Sequence, residues 1–100
     1  MTNPFDDRAR SWDDDSRRRR MTAGIFDALC RRIPLQPDWN VLDYGAGTGL
    51  LTLALAPRIR HATAVDSSPG MLAVLAEKAR SAGVANIEIR PGDFQTDPPP

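Results

Sequence analysis

The sequence predicts an α/β fold in which a parallel sheet is flanked by helices, and three features lead to it. Short apolar runs of strand length alternate with longer stretches of helical periodicity. Gly, Pro, Asp and Ser punctuate the joins. The order strand, helix, strand, helix, strand, at this spacing, suits parallel strands joined by right-handed crossovers, which is half of a doubly wound sheet.

Residues 1–16 are polar and charged, with Phe5 and Trp12 as their aromatic groups, and read as an arm rather than a core element. From Arg17 onward Met21, Ile25, Ala28, Leu29 and Ile33 recur at three- and four-residue steps. They predict one apolar helix face, with Ser16 as N-cap and an end before Pro34. Arg17 to Arg20 fall in the first turn, where the helix dipole disfavours cations, and Asp13, Asp14 and Asp15 just upstream offset them. The basic run is expected to be a solvated face, and the three Asp residues to be solvent-exposed, because consecutive carboxylates do not converge on one metal ion. No metal site is expected.

Trp39 to Tyr44 is apolar at its centre and closed by Gly45, which predicts a buried first strand with Trp39 packed at the bottom of the sheet. Gly49 to Ala56 is apolar almost all round and stops before Pro57, as a short helix packed between the sheet and other structure would. His61 to Val65 is β-prone and ends at Asp66, with His61 itself expected in a solvated loop. Ser67-Ser68-Pro69 then supplies an N-cap and a first-position proline. Met71, Leu72, Leu75, Ala79 and Ala82 share the next helical face, and Gly83 stands where a C′ glycine belongs. Ile87 and Ile89 alternate with Glu88 and Arg90 before Pro91-Gly92, the pattern of a strand at a sheet edge. The domain is expected to run over residues 17–97, with Pro98 to Pro100 as an extended tail.

The composition sets limits. One hundred residues with 13 basic and 13 acidic side chains and one Cys suit a single soluble domain that needs neither disulfide nor structural metal. Cys30 is expected to be a small apolar residue on a helix. The longest apolar run, Leu50 to Ala56, is far short of the roughly 20 residues a membrane span needs. The N-terminus lacks the apolar stretch of a signal peptide, so a cytoplasmic location is expected. Zero net charge argues against a nucleic-acid partner, for which Arg17 to Arg20 are the sole support.

Ligands of such sheets bind beyond the carboxyl ends of the strands. There the sequence puts Asp43-Tyr44-Gly45-Ala46-Gly47-Thr48-Gly49 after the first strand, Asp66-Ser67 after the second and Gly92-Asp93-Phe94 after the third. Three carboxylates on one sheet edge repel unless each has a partner, and a ligand rich in donors supplies one, with a metal as the competing explanation. Glycines allow the tight turn from strand to helix and leave N–H groups facing whatever binds. The spacing is G-x-G-x-G, whereas a dinucleotide fingerprint needs G-x-G-x-x-G and finds Leu50 at its third glycine.

Asp43-x-Gly45-x-Gly47-x-Gly49, led in by Val41-Leu42, resembles the first motif of class I S-adenosylmethionine-dependent methyltransferases. Asp66 with the following Ser67-Ser68-Pro69-Gly70-Met71-Leu72 is similar to the second motif, and Gly92-Asp93-Phe94 to the third. The likeness covers residues 38–94, and Phe5-Asp6-x-Arg8-Ala9-x-x-Trp12-Asp13 is similar to the segment before the domain in members acting on small molecules. It implies a Rossmann-like sheet, of which this chain holds the first three strands, and S-adenosyl-L-methionine as cofactor. Asp43 would contact the methionyl amino group, and Gly45, Ala46 and Gly47 would let the backbone approach the amino-acid part. The helix starting near Gly49 would favour its carboxylate. Asp66, followed by Ser67, would accept from both ribose hydroxyls, at roughly 1.5–3 kcal/mol for each charge-assisted bond. Met71 would pack near the adenine, Asp93 would accept from its amino group, and Phe94 would offer its N–H or ring. Trp12 would cover the site.

The resemblance also implies an unidentified small-molecule methyl acceptor, bound largely after a fourth strand. A truncated, cofactor-binding half with little turnover is therefore expected. Its Val41-Leu42 strand would be an open edge, available for self-association or a partner chain. No catalytic base is assigned. Two other readings stay open: a non-catalytic interaction module that completes its sheet with a partner, and a fragment of a NAD-binding oxidoreductase resting on Asp66.

Overall fold

In the computed structural model, which describes residues 6–92, strands and helices alternate from Asn40 onward. A 3-10 helix (Asp6–Asp14) and α1 (Ser16–Arg32) precede β1 (Asn40–Tyr44) and α2 (Leu50–Leu55). A 3-10 turn (Ala56–Arg58) then leads to β2 (His61–Asp66), α3 (Pro69–Ser81) and β3 (Ile87–Pro91). Phe5, Asp93, Phe94 and the proline tail lie outside the described residues.

Local chemistry sets the helix ends. Ser68 Oγ accepts the Met71 N–H at 3.2 Å and Pro69 opens α3, while Gly83 follows its end at φ +70°. α1 begins one residue earlier than expected: Asp15, not Ser16, is its N-cap, accepting the Arg17 N–H at 2.9 Å. That bond and the charges of Arg17 and Arg18 hold the Asp15 carboxyl below its ordinary pKa. A carboxylate suits the helix N-terminus better than a hydroxyl when four arginines follow it.

The sheet is parallel with order β1-β2-β3. Val41, Ala62 and Ile87 lie side by side, as do Asp43, Ala64 and Ile89, so these six share one face. That face meets the helices. Ala62 packs with Leu55 and Ile59 and with Phe26 of α1, and Ala64 packs with Leu72 and Leu75 of α3. Right-handed crossovers that step repeatedly in one direction put their helices on the same side, which explains this one-sided cover among the described elements. The two alanines of the inner strand are fully buried. Their small side chains leave the helices room to lie close.

Five expectations need correction. β1 lies at an edge of this sheet, as the three-strand reading expects, but it is not buried: Leu42, on the face away from the helices, is 43% exposed. Trp39, just ahead of β1, is exposed rather than packed, and His61 is the first residue of β2 rather than part of a loop. On α1 the apolar face is largely open, with Met21 62% and Ile25 47% exposed. α1 packs against α2, and its Phe26 joins the core cluster around Ala62. The N-terminal segment expected as an arm is a 3-10 helix lying against α3, with Ala9 buried.

Gly49 is the tightest point. It starts α2 at φ +82°, and a Cβ built there would overlap the buried Leu75 side chain. Gly49→Ala is expected to lower stability by roughly 2–5 kcal/mol, left-handed strain and overpacking together. Gly83→Ala, where φ is also positive but no atom is near, should cost only about 1–2 kcal/mol. Denaturant unfolding of the two variants measures the difference.

Candidate functional site

The carboxyl ends of β1 and β2 open into a cavity of about 420 Å³. Its walls include Asp43, Gly45, Ala46, Gly47, Asp66, Ser67 and Met71, seven of the sequence-predicted residues, drawn from two strand ends and the start of α3. Gly49 is not in the wall. It serves the close approach of the loop to Leu75 instead. Asp93 and Phe94 fall outside the described residues.

Asp66 organises the site. One carboxylate oxygen accepts the Gly47 N–H at 2.9 Å and the other the Ser68 N–H at 2.9 Å. Each oxygen retains a further lone pair with no described protein donor, so the carboxylate can accept two more hydrogen bonds from a ligand in the cavity. Gly47 holds φ +59°, which turns its N–H back toward β2, and Gly45 and Ala46 both donate to the Val65 carbonyl. The loop is thereby folded over the end of β2 and presents bare backbone to the cavity.

Asp43 is set differently. Thr52 Oγ donates to one of its oxygens at 2.6 Å, and the other has no donor among the described residues. Burial raises the Asp43 pKa above the ordinary carboxylate value; the Thr52 bond opposes this and the nearby Asp66 charge adds to it. A cationic donor in the cavity would reverse the shift. Met71 is 2% exposed and packs in the core, and it also reaches the cavity wall.

Several neighbours escaped the motif reading. Thr22 and Ile25 come from α1, Leu50 and Leu51 from the start of α2, and Thr48 from the loop. Trp12, expected as a cover, lies in the wall. Thr52, nine residues beyond Asp43, carries no motif signature, and only the return of α2 against β1 brings the two together. No cluster of three or more potential metal ligands occurs among the described residues, and none of their helices is long and apolar enough to cross a membrane.

Residues 41–100 match the methyltransferase domain family, which spans more than half of the chain and both strand-end acids. The chain belongs to the class I S-adenosylmethionine-dependent methyltransferases. Among methyltransferase relatives, a 23S rRNA (uracil-C(5))-methyltransferase of Chromohalobacter salexigens is 44% identical over 60 residues, which are 60% of this chain and 13% of that protein. An rRNA adenine N-6-methyltransferase of Saccharopolyspora erythraea is 44% identical over 66% of this chain and 17% of its own. A solved coclaurine N-methyltransferase bound to N-methylheliamine and S-adenosylhomocysteine aligns at 32% identity and a TM-score of 0.68 over 76% of this chain and 22% of its own. A structure from Methanococcus maripaludis, 23% identical, aligns over 98% of this chain and 47% of its own with a TM-score of 0.79, and it supports the fold through the N-terminal helices. The chain thus spans between about an eighth and a quarter of the curated relatives it matches. The Rossmann-like methyltransferase sheet expected from the sequence is present in its first three strands.

The raised pKa of Asp43 has a consequence for stability. Because its folded-state value lies above the unfolded one, burial of the charge costs stability at neutral pH. The cost shrinks as pH falls through the raised value and is gone below the unfolded value. Asp43→Asn is therefore expected to raise the thermal midpoint at pH 7, with the gain over the unsubstituted chain vanishing toward pH 3. Calorimetric melts across that range read the sign directly.

Proposed function

We propose that this chain is the S-adenosylmethionine-binding part of a methyltransferase whose acceptor is a small molecule. The observation that supports it most is Asp66, held by two backbone N–H groups with a lone pair left on each oxygen. That arrangement suits a pair of adjacent hydroxyls such as a ribose carries. The second carboxylate, the half-buried Asp43, with one oxygen lacking a described donor, suits an ammonium group, whose charge would offset the cost of desolvation. The volume of the cavity is within the usual range for small-molecule sites.

The cofactor, when bound, supplies a methyl group activated on a sulfonium sulfur. The chain's own residues bind and orient. Asp66 and the glycine loop would set the position of the ribose and amino-acid portions, with Gly45, Ala46 and Gly47 offering bare backbone, Ser67 beside Asp66, and Met71 filling an apolar wall. Asp93 and Phe94 remain proposed contacts for the base on the motif likeness alone. Holding the reactive group in one geometry is the main contribution such a site makes to an in-line transfer.

A small-molecule acceptor is favoured over RNA by charge. The relatives named for rRNA act on a polyanion, whereas this chain has no net charge. Three of its four consecutive arginines turn back to backbone carbonyls, at Trp12, Asp13 and Ser16. A reading as an interaction module draws on the open β1 edge and exposed Leu42.

Calorimetric titration with S-adenosylhomocysteine tests the proposal. The chain is expected to bind it, and Asp66→Ala to weaken binding by at least about 100-fold, as loss of two charge-assisted bonds requires. NAD should not bind; binding of NAD in place of S-adenosylhomocysteine would replace this reading with the oxidoreductase one. Salt-steep binding of a structured RNA would overturn the acceptor assignment. Light scattering on the same sample should return a monomer, and an obligate dimer that ignores both ligands would favour the interaction module.

A further inference from the structure

We propose that Asp13 is a positioning residue that latches the N-terminal 3-10 helix across the glycine loop and α3 and so holds Trp12 in the cavity wall. The inference rests on the reading of that cavity as the cofactor site. Asp13 was expected to be solvated. Instead one of its oxygens accepts from Thr48 Oγ at 2.5 Å and the other from Lys78 Nζ at 2.5 Å. Thr48 is buried in the loop between β1 and α2, and Lys78 lies in the last turn of α3. A single carboxylate thus joins three segments that are 35 and 65 residues apart in the chain.

The arginine run closes the clasp from the other side. The Arg18 guanidinium lies 3.5 Å from the Trp12 ring centroid and donates to the Trp12 carbonyl, and Arg19 donates to the Asp13 carbonyl. Trp12 is held between Arg18 and the cavity, and Asp13 between Arg19, Thr48 and Lys78. Of the residues in this helix whose side chains are described, Ala9 alone is buried, and so small a residue anchors little by itself. The polar clasp therefore sets how much of the time the helix is docked. Lys78 and Asp13 are each only about a quarter exposed, which makes their pair stronger than a solvated surface pair. Trp12 contributes to a ligand only in the docked state, so the observed affinity scales with the docked fraction.

Acrylamide quenching of Trp12 and affinity for S-adenosylhomocysteine are read on the full chain carrying Trp39→Phe, which leaves Trp12 as its only tryptophan. Asp13→Asn is expected to raise the quenching constant and to weaken binding by about two- to tenfold through the lower docked fraction. Lys78→Met does not alter the cavity wall; it should produce both changes, and Lys78→Arg should reverse them. It also serves as the second variant should Asp13→Asn fail to fold. Unchanged quenching in folded Asp13→Asn and Lys78→Met overturns the latch, and raised quenching with unchanged affinity overturns its coupling to the site. A chain that binds no S-adenosylhomocysteine in any form fails the functional reading instead, and the ligand-free quenching still decides for or against the latch.

Discussion

The bond between the Gly47 N–H and the Asp66 carboxylate is the constraint on which the site depends. It joins the loop after β1 to the end of β2, and both ends must be right for it to form. The loop must turn through a positive φ, which Gly47 permits, and the acid must stand one residue past the buried part of its strand. The same carboxylate accepts the Ser68 N–H, so Asp66 also sets where α3 begins. One side chain thereby ties a loop, a strand end and a helix start into one rigid corner.

That corner is affordable because the interior beneath it is built from small residues. Ala62 and Ala64 let the helices approach β2, and Gly49 lets the start of α2 pass against Leu75. Larger side chains at these places would move the helices away from the sheet and separate the loop from Asp66. Packing and site geometry are consequently one problem, a relation common in close-packed interiors.

The two carboxylates show how environment divides similar groups. Asp66 is surrounded by backbone donors, whereas Asp43 has a single hydroxyl and a low-dielectric setting that penalises its charge. A fold that keeps an ionisable group where its charge is costly holds part of its stability in reserve for a ligand able to neutralise it. The basic run has a plainer explanation than its composition suggested. Arg18, Arg19 and Arg20 spend donors on nearby carbonyls, and Arg18 on an aromatic face.

Much of this was readable along the chain. The order of strands and helices, the Ser68-Pro69 start, the Gly83 end and the acids at two strand ends all follow from periodicity, capping and turn chemistry, which act within a few residues. Asp15 displaced Ser16 as a cap by one position because both are competent and the neighbouring arginines favour the anion. What the chain order did not reveal was which face of α1 stays open, that β1 leaves Leu42 uncovered, that Thr52 meets Asp43, and that Asp13 meets Thr48 and Lys78. Local pattern determined the order of strands and helices from α1 onward and most of the residues at their ends. Only the tertiary structure decided which of those ends touch, because contacts between residues 9 to 65 apart depend on strand order and crossover geometry, which no local pattern records.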